Sequence, residues 1–289
     1  MVWPKSRPRF ADSRFMPDMM TAAPMHDAHN HLQDPLLDDA RDEFLANRAS
    51  KNIGLLVVNG TSEADWSAVR ALADADSGII PAFGVHPWFV DTLSASWKSR
   101  LASFLDSGGC IGEIGLDRWR TVENFDRQRE VFLWQWGEAL RRGLAATVHC
   151  LRAWGPLMEI IREAPHHNPG FLLHAYGGPV EMVDAWVELG AYFSFSASFL
   201  ADGRARKLEP FRVIPSDRLL VETDAPFMPP PASLLGLAPT LMPDGAAIHH
   251  PSAIVVAYEG LAKIRSVSVD GLRDRSDENF IRLFGTRPQ

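Results

Sequence analysis

Cysteine is nearly missing from this sequence: two occur in 289 residues, Cys110 and Cys150, each inside an apolar run. That scarcity excludes a disulfide framework and fits a reducing, cytoplasmic compartment. Small buried core residues are the first reading of both thiols, a reactive thiol the second. No apolar run reaches the ~20 residues that a membrane-spanning helix needs, so no membrane partner is expected. Positive charge is not in excess either. The formal net charge is -7, which gives no general nucleic-acid or membrane binder, although bound divalent ions would add positive charge locally. The first strand-like run is followed by no G-x-G-x-x-G or P-loop signature. Residues 1–24 lack the apolar core of a secretory signal and carry Lys5, Arg7, Arg9 and Arg14 among four prolines. They read as a disordered arm or as an over-long start ahead of Met16, Met19, Met20 or Met25. Asp12, Asp18 and the prolines argue against an organelle-targeting segment.

What remains, residues 25–289, reads as one domain. A hydrophobic share of 46% with 22% charged residues is that of a globular chain. Eight short runs rich in Val, Ile, Leu and Phe read as strands: 25–31, 53–59, 79–86, 110–116, 145–150, 171–175, 191–196 and 219–222. Apolar on both faces, they suit a parallel sheet covered by helices. Helices are expected over 36–50, after Ser62–Asp65, and over 123–142, 155–164, 180–189, 200–212, 253–265 and 270–284. The pattern predicts a (β/α)8 TIM-like barrel, with an open doubly wound sheet as the alternative.

Chemistry-bearing residues fall at or just past the strand ends, where such barrels place their active sites. In Met25-His26-Asp27-Ala28-His29-Asn30-His31, alternation sends His29 and His31 out of one face together. His86, Glu113, His149, His174 and Asp224 end later runs. Four histidines, His29, His31, His149 and His174, with Glu113 and Asp224, suit one or two divalent ions: zinc, magnesium or manganese. Glu113, central in the set, is placed to bridge two ions. Asp224, on the last strand and so beside the first, is placed to orient a water and take its proton. Singly, a buried histidine is more often a hydrogen-bonded core residue and an aspartate at a strand end a helix cap. Six of them in one eightfold pattern is what those readings explain poorly.

The ordered series Asp27-Ala28-His29-Asn30-His31-Leu32, Gly84-Val85-His86-Pro87, Gly112-Glu113-Ile114-Gly115-Leu116-Asp117, His149-Cys150-Leu151-Arg152-Ala153-Trp154, His174-Ala175-Tyr176-Gly177-Gly178, Ser194-Phe195-Ser196 and Glu222-Thr223-Asp224-Ala225-Pro226, with Asn279 and Phe284, resembles the TatD family of metal-dependent deoxyribonucleases in the amidohydrolase superfamily. The resemblance implies a distorted (β/α)8 barrel. It implies His29, His31, Glu113 and Asp224 around one ion, and Glu113, His149 and His174 around a second. It makes His86 a pocket residue and Glu222 a carboxylate behind the ligands. Arg152 and Tyr176 become candidate substrate contacts, with an Asp117–Arg152 structural pair as the alternative.

Departures from the family pattern concern the substrate. The stretch after Asp224 runs Ala225-Pro226-Phe227-Met228-Pro229-Pro230-Pro231 to His249-His250-Pro251, with no Lys or Arg between Asp224 and Pro251. Lys and Arg contacts dominate nucleic-acid affinity, so this is an odd wall for a DNA groove. His249 and His250 read as a solvated loop pair, or else as extra pocket residues. Trp88, Trp119 and Trp154 could stack on bases or pack on the rim. The first functional expectation is a monomeric phosphodiesterase, a 3'-5' exodeoxyribonuclease acting on DNA ends. The second is a hydrolase of a small ester, lactone or amide. The third, a barrel kept for binding alone, is opposed by the completeness of the ligand set. A basic rim beside the metals would favour DNA, a closed apolar rim a small substrate.

Overall fold

In the computed structural model, which describes residues 22–120, 123–165, 168–235, 241, 245 and 247–285, each of the eight apolar runs forms a strand. They are β1 (Met25–Asn30), β2 (Ile53–Asn59), β3 (Ile79–Phe83), β4 (Cys110–Asp117), β5 (Ala146–Leu151), β6 (Phe171–Leu173), β7 (Ala191–Ser196) and β8 (Leu219–Glu222). Neighbours pair in parallel in chain order, β1 to β8. Parallel pairing requires a crossover on each step, which the intervening helical segments supply. The seam between β8 and β1 is closed just beyond β8: Asp224 N–H donates to His29 O at 2.9 Å and His31 N–H to Ala225 O at 2.8 Å. The fold is a (β/α)8 barrel.

The helices are α1 (Asp38–Asn47), α2 (Trp66–Ala75), α3 (Trp97–Asp106), α4 (Phe125–Arg142), α5 (Trp154–Glu163), α6 (Val183–Glu188), α7 (Ala205–Leu208), α8 (Pro210–Val213), α9 (Ala232–Leu235), α10 (Ile254–Arg265) and α11 (Val269–Phe284). The single helix expected over 200–212 is instead a 3-10 turn, Ala197–Leu200, followed by α7 and α8. Pro210, at the first position of α8, has no N–H to continue a ladder. Helix α3 is unforeseen, though Trp97, Leu101 and Leu105 bury one face at a four-residue spacing. The expected start at Ser62–Asp65 holds as a turn. The Asp65 carboxylate accepts from the N–H groups of Thr61 and Ser62, and α2 begins at Trp66.

Of the expected arm, residues 1–21 lie outside the described residues. Ala22–Pro24 lie against the barrel, because Arg273 donates to Ala23 O at 2.7 Å and Asn52 to Ala22 O at 3.1 Å. Among the described residues no helix is long and apolar enough to cross a membrane.

The barrel is distorted where β4 leaves β3. These strands pair only through Ala82–Cys110 and Phe83–Ile111. At Gly112, φ is 159° and a Cβ would fall 1.8 Å from Thr147 Oγ1 on β5 and 3.1 Å from Asn59 Oδ1 on β2. Only glycine lets the chain pass so close to both. The next residue, Glu113, donates its N–H across to Gly60 O at 2.8 Å. This inward step carries the Glu113 side chain towards the barrel axis.

Candidate metal centre

Alternation along β1 puts Asp27, His29 and His31 on one face. The lowest of the three, Asp27, accepts from Thr223 N at 3.0 Å and Thr223 Oγ1 at 2.6 Å, tying β1 to the residue before Asp224. Burial holds the Asp27 carboxyl up at about 7 against the Thr223 bonds that lower it. Asp224 then takes a left-handed backbone, φ 59°, a conformation that aspartate tolerates better than most residues.

Around His29 and His31 four donor atoms meet. His31 Nε2 lies 3.3 Å from both Glu113 Oε2 and Asp224 Oδ1, while His29 Nε2 lies 3.5 Å from the first and 3.6 Å from the second. The two Nε2 atoms are 3.3 Å apart. Ligands about 2.0–2.1 Å from a small divalent ion stand roughly 2.8–3.4 Å apart at neighbouring corners of an octahedron or tetrahedron. The 3.3 Å spacings fall within that range, and the two from His29 at 3.5 and 3.6 Å lie just above it.

A second group forms on the other oxygen of the same carboxylate. Glu113 Oε1 lies 3.1 Å from His149 Nδ1 and 3.0 Å from His174 Nε2, and those two nitrogens are 3.2 Å apart. All six expected ligands therefore converge, and all but the half-buried His149 are buried.

Neighbouring groups set the ring orientations. His31 Nδ1–H donates to Asn59 O at 2.8 Å, leaving the Nε2 lone pair for the centre. His149 Nε2–H donates to Asp117 Oδ2 at 3.2 Å, which leaves Nδ1 free in the same sense. His174 Nδ1 faces Glu222 Oε1 at 3.5 Å, and the other Glu222 oxygen accepts from Ser194 Oγ. Such outer carboxylates fix the tautomer of a ligand histidine and raise its basicity.

His86 differs. Its Nδ1 accepts from Trp88 N–H at 3.1 Å, so a neutral ring carries its proton on Nε2, which points at Glu113 Oε1 from 3.5 Å. Spacing alone would group His86 with Glu113 and His149 as ligands. The tautomer makes it an N–H donor into the site instead. Burial, reinforced by the neighbouring histidines, pushes its pKa down to about 3 against the pull of Glu113.

Electrostatics match a site that holds positive charge. Burial opposes ionisation of Glu113, yet the histidines around it outweigh burial and hold its carboxyl well below the usual range. Burial likewise opposes charge on His31, and hydrogen bonds to Asp224 and Glu113 overcome it.

The structure bears on three other readings. Tyr176 is fully buried, its hydroxyl donating to Pro179 O at 2.8 Å and its ring packing on Trp154 and Phe193. Asp117 binds His149, the Trp88 indole and two backbone N–H groups, whereas Arg152 is an exposed residue at φ 57° beyond β5. His249 is 1% exposed, its Nδ1 bonded to Phe227 O at 3.0 Å; of the supposed loop pair only His250 meets solvent.

Sequence reasoning also missed Gln128 and Gln135, buried on α4. Gln135 accepts from Val85 N–H at 2.7 Å and donates to Val85 O at 3.2 Å; Gln128 treats Asp117 the same way, at 2.8 and 3.0 Å. Two glutamines seven residues apart on an otherwise apolar face were the available signal. A groove of about 580 Å³ between α8 and α10, lined in part by Leu208, Arg212, Val256 and Lys263, includes none of the cluster residues.

Residues 26–285 match the family described as TatD related DNase. The chain belongs to that family. A metal-dependent hydrolase of Escherichia coli, YcfH, is 28% identical over 265 residues, covering 89% of this chain and 94% of the relative. The 3'-5' ssDNA/RNA exonuclease TatD of Cronobacter sakazakii is 27% identical over 263 residues, covering 90% and 97%. Among solved structures, the TatD homologue YjjV of Escherichia coli superposes with a TM-score of 0.80 at 23% identity, covering 90% of this chain and 97% of that one, which supports the barrel. This member of the TatD-related family is a metal-dependent hydrolase.

Proposed function

We propose that this hydrolase is a 3'-5' exodeoxyribonuclease that removes nucleotides from DNA ends. The observation that carries the reading is the divided Glu113 carboxylate. One oxygen faces His29 and His31, the other His149 and His174. In this reading His29, His31, Glu113 and Asp224 hold one ion and Glu113, His149 and His174 a second, each zinc, magnesium or manganese. Bound there, the ions supply Lewis-acid charge at a phosphoryl oxygen and acidify a water.

The chain's own residues do the rest. Asp224, at the seam between β8 and β1, takes the proton of the attacking water. His86 presents its Nε2–H to an oxygen of the substrate. Arg152, with Arg118 and Arg120 beyond β4, is exposed and offers phosphate contacts on one side of the mouth. The name of the Cronobacter relative supports a single-stranded substrate. We take the protein to be a single-domain monomer, and we place it in the cytoplasm, a location that two buried, unpaired thiols support.

A second reading has its own observation. Phe227 stands edge-on to His31 at 5.7 Å, partly exposed, on a loop without Lys or Arg. That apolar wall suits a small ester, lactone or amide. Hydrolysis of a short single strand by protein loaded with each metal, beside Asp224→Ala, separates the two. The nuclease reading expects metal-dependent release of mononucleotides from the 3' end by the parent and a loss of at least ~10³-fold in the variant. Metal bound without any cleavage of DNA would transfer the reading to small substrates.

A further inference from the structure

We propose that the exposed indole of Trp119 is a stacking platform for an unpaired base beside the metal centre, with Arg120 as the adjoining phosphate contact. The inference rests on the nuclease reading and assigns the residues that grip the strand.

Asp117 organises the turn that carries Trp119. Its Oδ2 accepts from His149 Nε2 at 3.2 Å and from the Trp88 indole N–H at 2.8 Å. Its Oδ1 accepts from the backbone N–H groups of Trp119 at 2.6 Å and Arg120 at 3.0 Å. One carboxylate therefore fixes a ligand histidine and, on its other oxygen, the turn that carries Trp119. The preceding Arg118 N–H donates to Leu151 O at 2.9 Å, joining the turn to the end of β5. The backbone that carries Trp119 is thereby tied to the same carboxylate as His149.

Three tryptophans were candidates for stacking, and the structure separates them. Trp154 is half-buried, packed edge-on against Tyr176 at 4.8 Å. Trp88 is half-buried and its face is covered by the Arg120 guanidinium, 4.4 Å from the ring centroid. Trp119 is 56% exposed, the only exposed tryptophan among the described residues. A large apolar ring held in solvent by an organised backbone suits a partner with its own flat face. Arg120, stacked on Trp88, is pre-oriented beside it, and Arg118 stacks likewise on Phe125 at 3.9 Å. Aromatic rings interleaved with guanidinium groups are the chemistry that grips single-stranded nucleic acid.

The test uses the full-length, metal-loaded protein and a fluorescein-labelled ten-residue oligothymidylate. Binding is read by anisotropy in an Asp224→Asn background so that the strand persists. Trp119→Ala should weaken binding about tenfold and Trp119→Phe should restore most of it. Arg120→Gln should lower the slope of log K against log salt by about 0.7. In the active background, Trp119→Ala should raise KM about tenfold with kcat within about twofold. An unchanged melting temperature would tie these effects to the strand. A Trp119→Ala protein with parental Kd and KM on a strand that the parent cleaves overturns the platform and leaves the nuclease reading intact. A parent that hydrolyses bis(p-nitrophenyl) phosphate but neither binds nor cleaves the strand overturns both.

Discussion

Glu113 and His249 show what burial does to polar side chains in different company. Glu113 is surrounded by histidines and stays ionised. His249 has carbonyl neighbours and is kept neutral: burial drives its pKa down to about 4, against the bond to Phe227 O. The consequence for stability has a definite sign. Above pH 6.5 neither folded nor unfolded His249 binds a proton. As pH falls below 6.5 the unfolded chain gains one that the folded chain refuses, so stability is lost until the folded group titrates near 4. The loss is of order 3 kcal/mol at about 1.4 kcal/mol per pH unit. An Asn in this place keeps a donor for Phe227 O and has no proton to gain. Urea unfolding of His249→Asn between pH 7 and 4 should therefore lose less stability than the parent. An identical slope would show that His249 is not the titrating group.

Among the elements, α4 is more than a cover for the barrel. Phe132 and Trp136 pack inward, as an apolar stripe requires, while Gln128 and Gln135 on the same helix pair with backbone at the ends of β4 and β3. Each glutamine satisfies one N–H and one carbonyl that no neighbouring strand reaches. Val85 precedes His86, so Gln135 also sets where the His86 donor begins. Gln135→Leu, similar in volume, leaves both Val85 groups unpaired and should cost roughly 2–4 kcal/mol in denaturant unfolding, with kcat reduced as His86 drifts. Stability within 0.5 kcal/mol of the parent would show that other groups satisfy Val85. Turn chemistry at this scale was partly legible. The helix expected over 200–212 took no account of Pro210, which begins a separate short helix. Asp117 was legible as part of a motif, but its partners were not, since His149 and Trp88 reach it only after β4, β5 and the loop beyond β3 converge.

For the molecule as a whole, a cation in the proposed centre would couple binding to folding. The candidate ligands come from β1, β4 and β5 and from just past β1, β6 and β8, so an ion held there would tie distant parts of one ring. At a free concentration a hundredfold above Kd, one ion adds about 2.7 kcal/mol, or roughly 5–10 °C in melting temperature. Calorimetric titration should also detect proton release, because a cation displaces protons from His31 and His174, whose pKa values the surrounding carboxylates raise despite burial. Affinity should accordingly weaken as pH falls. A melting temperature that chelation and metal addition leave unmoved would contradict this.

The sequence by itself determined the eight strands and the barrel, because apolar runs alternating with helical periodicity have few other ways to bury both faces. It also determined the six ligand candidates, since strand ends in this fold share one mouth. Tertiary structure alone decided how the Glu113 oxygens divide between two histidine pairs, which depends on β4 stepping inward at Gly112. It decided, too, that Tyr176 belongs to the core and that Trp119 remains in solvent. Burial and exposure are set by atoms far away in the chain, which no local pattern encodes.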